Sequence, residues 1–153
     1  MKNKIIVLGF GNDILGDDGV ALEAINILKS KCSDEIEFQS IYGGGMEILD
    51  FIEGKDKLLI IDSVENQFES KGKVVELSME YYKFNCVDSP HYVGVPDAIR
   101  IAKELDIKIP DEIKILATEI APQFEIRTGL SKEVAESIPE ICSKALSIIE
   151  HWS

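Results

Sequence analysis

The chain has 153 residues, of which 45% are hydrophobic and 29% are charged. This size and composition are typical of a globular protein with a sizeable core, and they predict one domain over residues 1–153. Its 16 basic and 28 acidic residues give a formal charge of −12. That charge argues against binding to nucleic acid or to an anionic membrane, because both partners are themselves negatively charged.

The cysteines and the hydropathy of the chain favour a soluble protein with reduced thiols. Cys32, Cys86 and Cys142 lie far apart and form no CxxC pair, so neither a disulfide framework nor a cysteine-built zinc site is expected. No apolar stretch reaches the roughly 20 residues that a membrane-spanning helix needs. Glycines and carboxylates interrupt the first apolar run too early for a signal peptide. We therefore expect a soluble cytoplasmic protein.

Strand and helix patterns alternate along the chain. Short apolar runs predict buried strands at 4–10, 35–42, 57–64 and 112–120, and a polar turn before 73–79 suggests an antiparallel edge strand there. Amphipathic patterns predict helices at 20–31, at 46–54, after the loop that contains Pro90, and from Ser131 to about Trp152. Pro139 is expected to kink or split the last of these. The alternation predicts an α/β three-layer sandwich, with a mostly parallel mixed sheet of about five strands and helices on both faces.

The stretch "GFGNDILGDD" (residues 9–18) follows the first predicted strand and allows three explanations. A GxG turn binds phosphate in nucleotide-binding domains, but the third glycine is missing, and Asp17 and Asp18 put negative charge where the phosphate would lie. Capping of the next helix explains one aspartate and leaves the other without a role. The third explanation is that an aspartate here belongs to a metal site.

Two further residues belong with this stretch if functional groups gather at one edge of the sheet. Asp62 ends the apolar run "LLIID", and His91 lies in the loop "DSPHYVG". Taken alone, each has an ordinary explanation, as a turn-initiating aspartate and as a surface histidine. Sites in open α/β sheets collect beyond the carboxyl ends of the strands. Two carboxylates and an imidazole meeting there would suit a divalent transition metal, which favours metal-linked hydrolysis among hydrolytic mechanisms.

Five segments in order resemble the hydrogenase maturation endopeptidases, which trim the C-terminal extension from the large subunit of [NiFe] hydrogenases. They are "IIVLGFGNDILGDDGVA", "GGGMEIL", "LLIIDSV", "SPHYVGVPDAI" and "EIAPQFEIRTGLSKEV". The resemblance runs nearly end to end. It implies an α/β sandwich and an aspartyl-type endopeptidase that cleaves the precursor once, just after its metal-binding cysteine motif.

The resemblance also implies which residues carry the activity. The family's metal-contacting and catalytic residues fall on Asp18, Asp62 and His91, and Asp17 falls on a neighbouring acid with a supporting role. The expected metal is nickel supplied by the hydrogenase large-subunit precursor, and other divalent metals would bind in vitro. Two alternatives stay open, namely a non-catalytic nickel-binding maturation chaperone on the same scaffold and a nucleotide-binding domain.

Overall fold

The computed structural model describes residues 2–42, 45–65, 71–84, 94–123 and 125–153. In this part of the chain, five strands form one sheet in the order β2-β1-β3-β5-β4. The strands are β1 (Ile5–Phe10), β2 (Glu37–Ile41), β3 (Lys57–Glu65), β4 (Val74–Leu77) and β5 (Glu112–Ile120).

The sheet is mixed. β1 pairs in parallel with β2 and β3, β3 pairs in parallel with β5, and β4 runs antiparallel to β5 at the edge. The expected mostly parallel sheet with an antiparallel edge strand is therefore confirmed.

Helices cover both faces of the sheet. They are α1 (Val20–Lys31), α2 (Ile48–Ile52), α3 (Met79–Phe84), α4 (Val95–Glu104) and α5 (Lys132–Trp152). Successive strand residues point to opposite faces, so Leu59 and Ile61 pack with α1 and α5, whereas Leu58 and Ile60 pack with α2 and α4. The three-layer sandwich is thus confirmed.

Helix α5 is one continuous helix through Pro139, so the expectation of a split is wrong. Proline costs the helix one hydrogen bond and crowds the preceding turn. Val134 and Ile138 before the proline and Ile141 and Ala145 after it all belong to the same buried core, and this packing keeps the two halves together. No helix in the described ranges has both the length and the apolar character needed to cross a membrane.

The parallel strands end at one edge of the sheet, which we call the carboxyl edge. The pairing of β1 with β3 ends at Gly9 and Ile61, whereas β3 stays paired with β5 up to Glu65 and Ile120. The end of β3 therefore extends past β1 and has a free side there. The turn after β1 fills the neighbouring space, and this places two of the predicted site residues close to each other.

Candidate active site

The turn after β1 depends on a glycine without a side chain. A Cβ atom on Gly11 would overlap the carbonyl oxygen of Asp18, and the amide of Asn12 donates to that same oxygen at 3.3 Å. The backbone of Asp18 thus occupies the space beside Gly11 that a bound phosphate would require. The GxG pattern serves close packing of the turn.

Asp17 does not cap α1. The N-cap of α1 is Gly19, with no side-chain capping bond, so the capping explanation of the two aspartates is wrong for this helix. Asp17 is 1% exposed, and its carboxylate accepts hydrogen bonds from the amide (2.6 Å) and hydroxyl (2.9 Å) of Ser131. Asp17 therefore fastens the turn to the start of α5.

Asp18, unlike Asp17, contacts strand β3. Its Oδ1 accepts a 2.7 Å hydrogen bond from the hydroxyl of Ser63, and the residue is partly buried. Burial raises the pKa of the Asp18 carboxyl, an effect that outweighs the hydrogen bond from Ser63 and is reinforced by the charge of Glu65. The carboxylate is therefore less stable as an anion here than in water.

Asp62 lies where β3 passes the end of β1. Its Oδ1 accepts from the amide of Ser63 at 2.7 Å, and its Oδ2 accepts from the hydroxyl of Tyr82 at 2.6 Å. Burial raises the pKa of Asp62 to about 7, although both hydrogen bonds lower it, and the charge of Asp18 raises it further. Asp62 thus changes its protonation state near neutral pH.

Ser63 connects the two acids. Its hydroxyl donates to Asp18, and its amide donates to Asp62. The pairing of β1 with β3 ends at Ile61, so Ser63 lies beyond the part of β3 that pairs with β1. The structure thus brings together two of the three predicted site residues. Ser63 and Tyr82 were not predicted, since neither lies in a pattern that points to chemistry.

The segment between β5 and α5, described at residues 121–123 and 125–130 and called the closing segment here, contacts the turn after β1. Gln123 accepts from the amide of Asp17 at 3.3 Å and donates to the carbonyl of Ala121 at 2.7 Å. Arg127 exchanges two 2.8 Å backbone hydrogen bonds with the turn, donating to Ile14 and accepting from Gly16. These contacts fix the turn that carries Asp17 and Asp18.

The third predicted site residue, His91, lies outside the described residues. Within the ranges that the structure covers, no three His, Cys, Asp or Glu side chains are grouped closely enough to hold a metal ion. Asp18 and Asp62 supply two carboxylates, and no ion pair in that part of the chain involves either of them. Two adjacent carboxylates without a basic partner form an arrangement that a cation would stabilise.

Comparison with known proteins gives a family match over most of the chain. The model of the hydrogenase maturation protease family matches residues 24–148, a range that contains Asp62 and His91 and begins after Asp18. Two curated relatives extend the likeness over nearly the whole chain. The hydrogenase 2 maturation protease of Escherichia coli is 25% identical over 95% of this chain and 90% of its own. A putative hydrogenase maturation protease of Methanocaldococcus jannaschii is 26% identical over 97% and 95%.

Solved structures show the same fold. The hydrogenase maturating endopeptidase HybD from E. coli superposes with a TM-score of 0.81 at 24% identity, over 99% of this chain and 93% of its own. A [NiFe] hydrogenase maturation protease, HybD from Thermococcus kodakarensis, gives a TM-score of 0.70 at 22% identity, over 97% and 99%. The mixed sheet with its two helical layers is therefore the architecture of these proteases.

Proposed function

The chain belongs to the hydrogenase maturation protease family, and on that premise we propose that it is an endopeptidase of the cytoplasm. Its substrate is the nickel-loaded large-subunit precursor of an [NiFe] hydrogenase, from which it removes the C-terminal extension. Asp18, Asp62 and His91 carry the activity.

The observation that best supports this proposal is the pair of carboxylates joined by Ser63. Asp18 and Asp62 accept hydrogen bonds from the same residue, and burial raises the pKa of both. Both groups would be stabilised as anions by a cation that comes close to them. Nickel carried by the precursor would supply that cation, with His91 as the expected third contact.

An incomplete site explains selectivity for a loaded precursor. Two carboxylates and an imidazole fill only part of a metal's coordination shell, and the precursor's own ligands supply the rest. Affinity for a precursor without nickel is therefore low, because the two acids gain nothing from its approach. The bound metal would polarise the scissile carbonyl or a water molecule.

The experiment is incubation of the purified protein with nickel-loaded and nickel-free precursor, followed by mass spectrometry of the precursor. We expect the loaded precursor to lose its C-terminal extension in one step and the nickel-free precursor to stay intact. Tight binding of the loaded precursor with no loss of mass would overturn the proposal and favour the non-catalytic maturation chaperone.

A further inference from the structure

Exposed apolar side chains gather at the carboxyl edge. Among the described residues, the large hydrophobic side chains that are exposed are Ile14, Tyr42, Met46, Tyr81, Ile126, Ile27 and Leu105. Ile14, Tyr42, Met46 and Ile126 lie in the segments that follow the parallel strands β1, β2 and β5, whereas Tyr81 lies in α3, which follows the antiparallel strand β4. Ile27 lies within α1, and Leu105 ends α4. Exposed apolar groups that share one region mark an interaction surface more often than isolated ones do.

Backbone hydrogen bonds join three of these segments into one surface. The amide of Gly11 donates to the carbonyl of Ile41 at 3.2 Å, which ties the turn after β1 to the residue before Tyr42. On its other side, the turn receives a 2.8 Å bond at the carbonyl of Ile14 from the residue after Ile126. The segments that carry Tyr42, Ile14 and Ile126 therefore lie side by side next to the turn that holds Asp18, and we call these three exposed residues the apolar strip.

Acidic residues accompany the exposed apolar ones. At the carboxyl edge, exposed carboxylates directly adjoin three of them in sequence: Asp13 beside Ile14, Glu47 beside Met46 and Glu125 beside Ile126. None of these three acids forms an ion pair within the described part of the chain, whereas Lys57 at the amino end of β3 pairs with Asp111. One exposed basic residue, Arg127, adjoins Ile126 on its other side. A partner on this surface would therefore meet apolar groups together with a net negative charge.

We propose that the apolar strip and its adjoining acids form the docking surface for the precursor segment next to the scissile bond, and that this segment carries apolar and basic side chains. The inference rests on the proposed function and adds the chemistry of the docked segment. The charge of the surface argues against an acidic segment, because like charges across an interface weaken binding. The strip is continuous with the turn that carries Asp18, so a bound segment lies beside the site.

Matched variants test the apolar part. Ile126→Asp places a charge on the strip at a position that is 81% exposed, and Leu105→Asp does the same at a distant position that is 64% exposed. We expect Ile126→Asp to raise the precursor concentration for half-maximal processing by about 10-fold with little change in maximal rate, because one interface anchor is commonly worth that much. Leu105→Asp should stay within about twofold of the wild type. Equal values for the two variants would overturn the docking surface.

Charge reversal tests the acidic part. The triple variant Asp13→Lys, Glu47→Lys and Glu125→Lys is compared with a control of equal charge change, Asp34→Lys, Glu53→Lys and Glu150→Lys. We expect the first triple variant to weaken precursor binding by about 10-fold or more. The difference in binding between the two triple variants should shrink in roughly 0.5 M salt, because salt screens interactions between exposed charges. Equal binding by both variants would contradict the proposed basic partner.

Binding to immobilised precursor, measured without regard to cleavage, separates this inference from the proposed function. If the wild type binds but does not cleave and Ile126→Asp binds more weakly, the docking surface stands and the endopeptidase proposal fails. If the wild type cleaves and all variants behave alike, the proposed function stands and the docking surface fails. If sedimentation shows a wild-type dimer that Ile126→Asp dissociates, a second copy occupies the strip and the inference is wrong.

Discussion

The hydroxyl of Ser63 donates a 2.7 Å hydrogen bond to the carboxylate of Asp18. The amide of the same serine donates to Asp62, so a single residue of β3 orients both acids of the candidate site. This relationship makes Ser63 a positioning residue for both acids.

Ser63→Ala should slow processing of the nickel-loaded precursor by about 10-fold, because a hydrogen bond to a charged group is lost and Asp18 is free to turn. Ser63→Thr keeps a hydroxyl and should recover most of the rate. The matched control is Ser137→Ala, which removes a buried serine hydroxyl that donates to Val134 and should leave the rate within about twofold. Equal rates for Ser63→Ala and Ser137→Ala would remove the positioning role.

The pH dependence of stability should report the environment of Asp62. Because burial raises the pKa of Asp62 to about 7, the folded protein holds this proton more tightly than the unfolded chain does. The stabilising contribution is fully present below pH 4 and is lost as the pH rises to 7 and above. The cost at pH 8 is on the order of 2–4 kcal/mol in the free energy of unfolding.

Urea unfolding with a chelator present, between pH 4 and pH 8, measures this effect. Asp62→Asn has no proton to lose, so its free energy of unfolding should fall less over this range than that of the wild type. Parallel curves for the two proteins would show that the pKa of Asp62 is not raised by folding.

Asp17 should matter for stability. Asp17→Ala removes the acceptor of two hydrogen bonds from Ser131 in a buried place, so the free energy of unfolding should fall by about 2–4 kcal/mol. Asp13→Ala changes an exposed aspartate of the same turn and should cost no more than about 0.5 kcal/mol. Urea titration of both variants decides the matter, and an equal loss in both would mean that Asp17 does not fasten α5.

The strands of the sheet were predictable because buried strands appear in the sequence as continuous apolar runs. Successive strand residues point to opposite faces of a sheet, so a continuous apolar run such as the one that includes Leu58 and Ile61 is expected to be covered on both faces. The order of the strands was not predictable, since β4 follows β3 in the chain but lies beyond β5 in the sheet. That position depends on pairing between residues distant in sequence, such as Val74 with Thr118.

The site was predictable in part for the same reason. Asp62 ends a buried strand, so its place at the carboxyl edge follows from the strand itself. The bonds that orient the acids depend on distant residues: Tyr82 lies in α3, and Ser131 is 114 residues from Asp17. Local sequence gives no sign of such partners. The placement of His91 stays a prediction.

The most direct test of the central claim compares single-residue variants on one precursor. Nickel-loaded precursor is incubated with the wild type, Asp18→Asn, Asp62→Asn, His91→Ala and the control Asp34→Asn, an exposed aspartate away from the docking surface, and the fraction that has lost the C-terminal extension is read by mass spectrometry. Circular dichroism checks that each variant is folded. We expect wild-type conversion by Asp34→Asn and at least about 100-fold slower conversion by the other three. Wild-type conversion by folded Asp18→Asn and Asp62→Asn would contradict the claim.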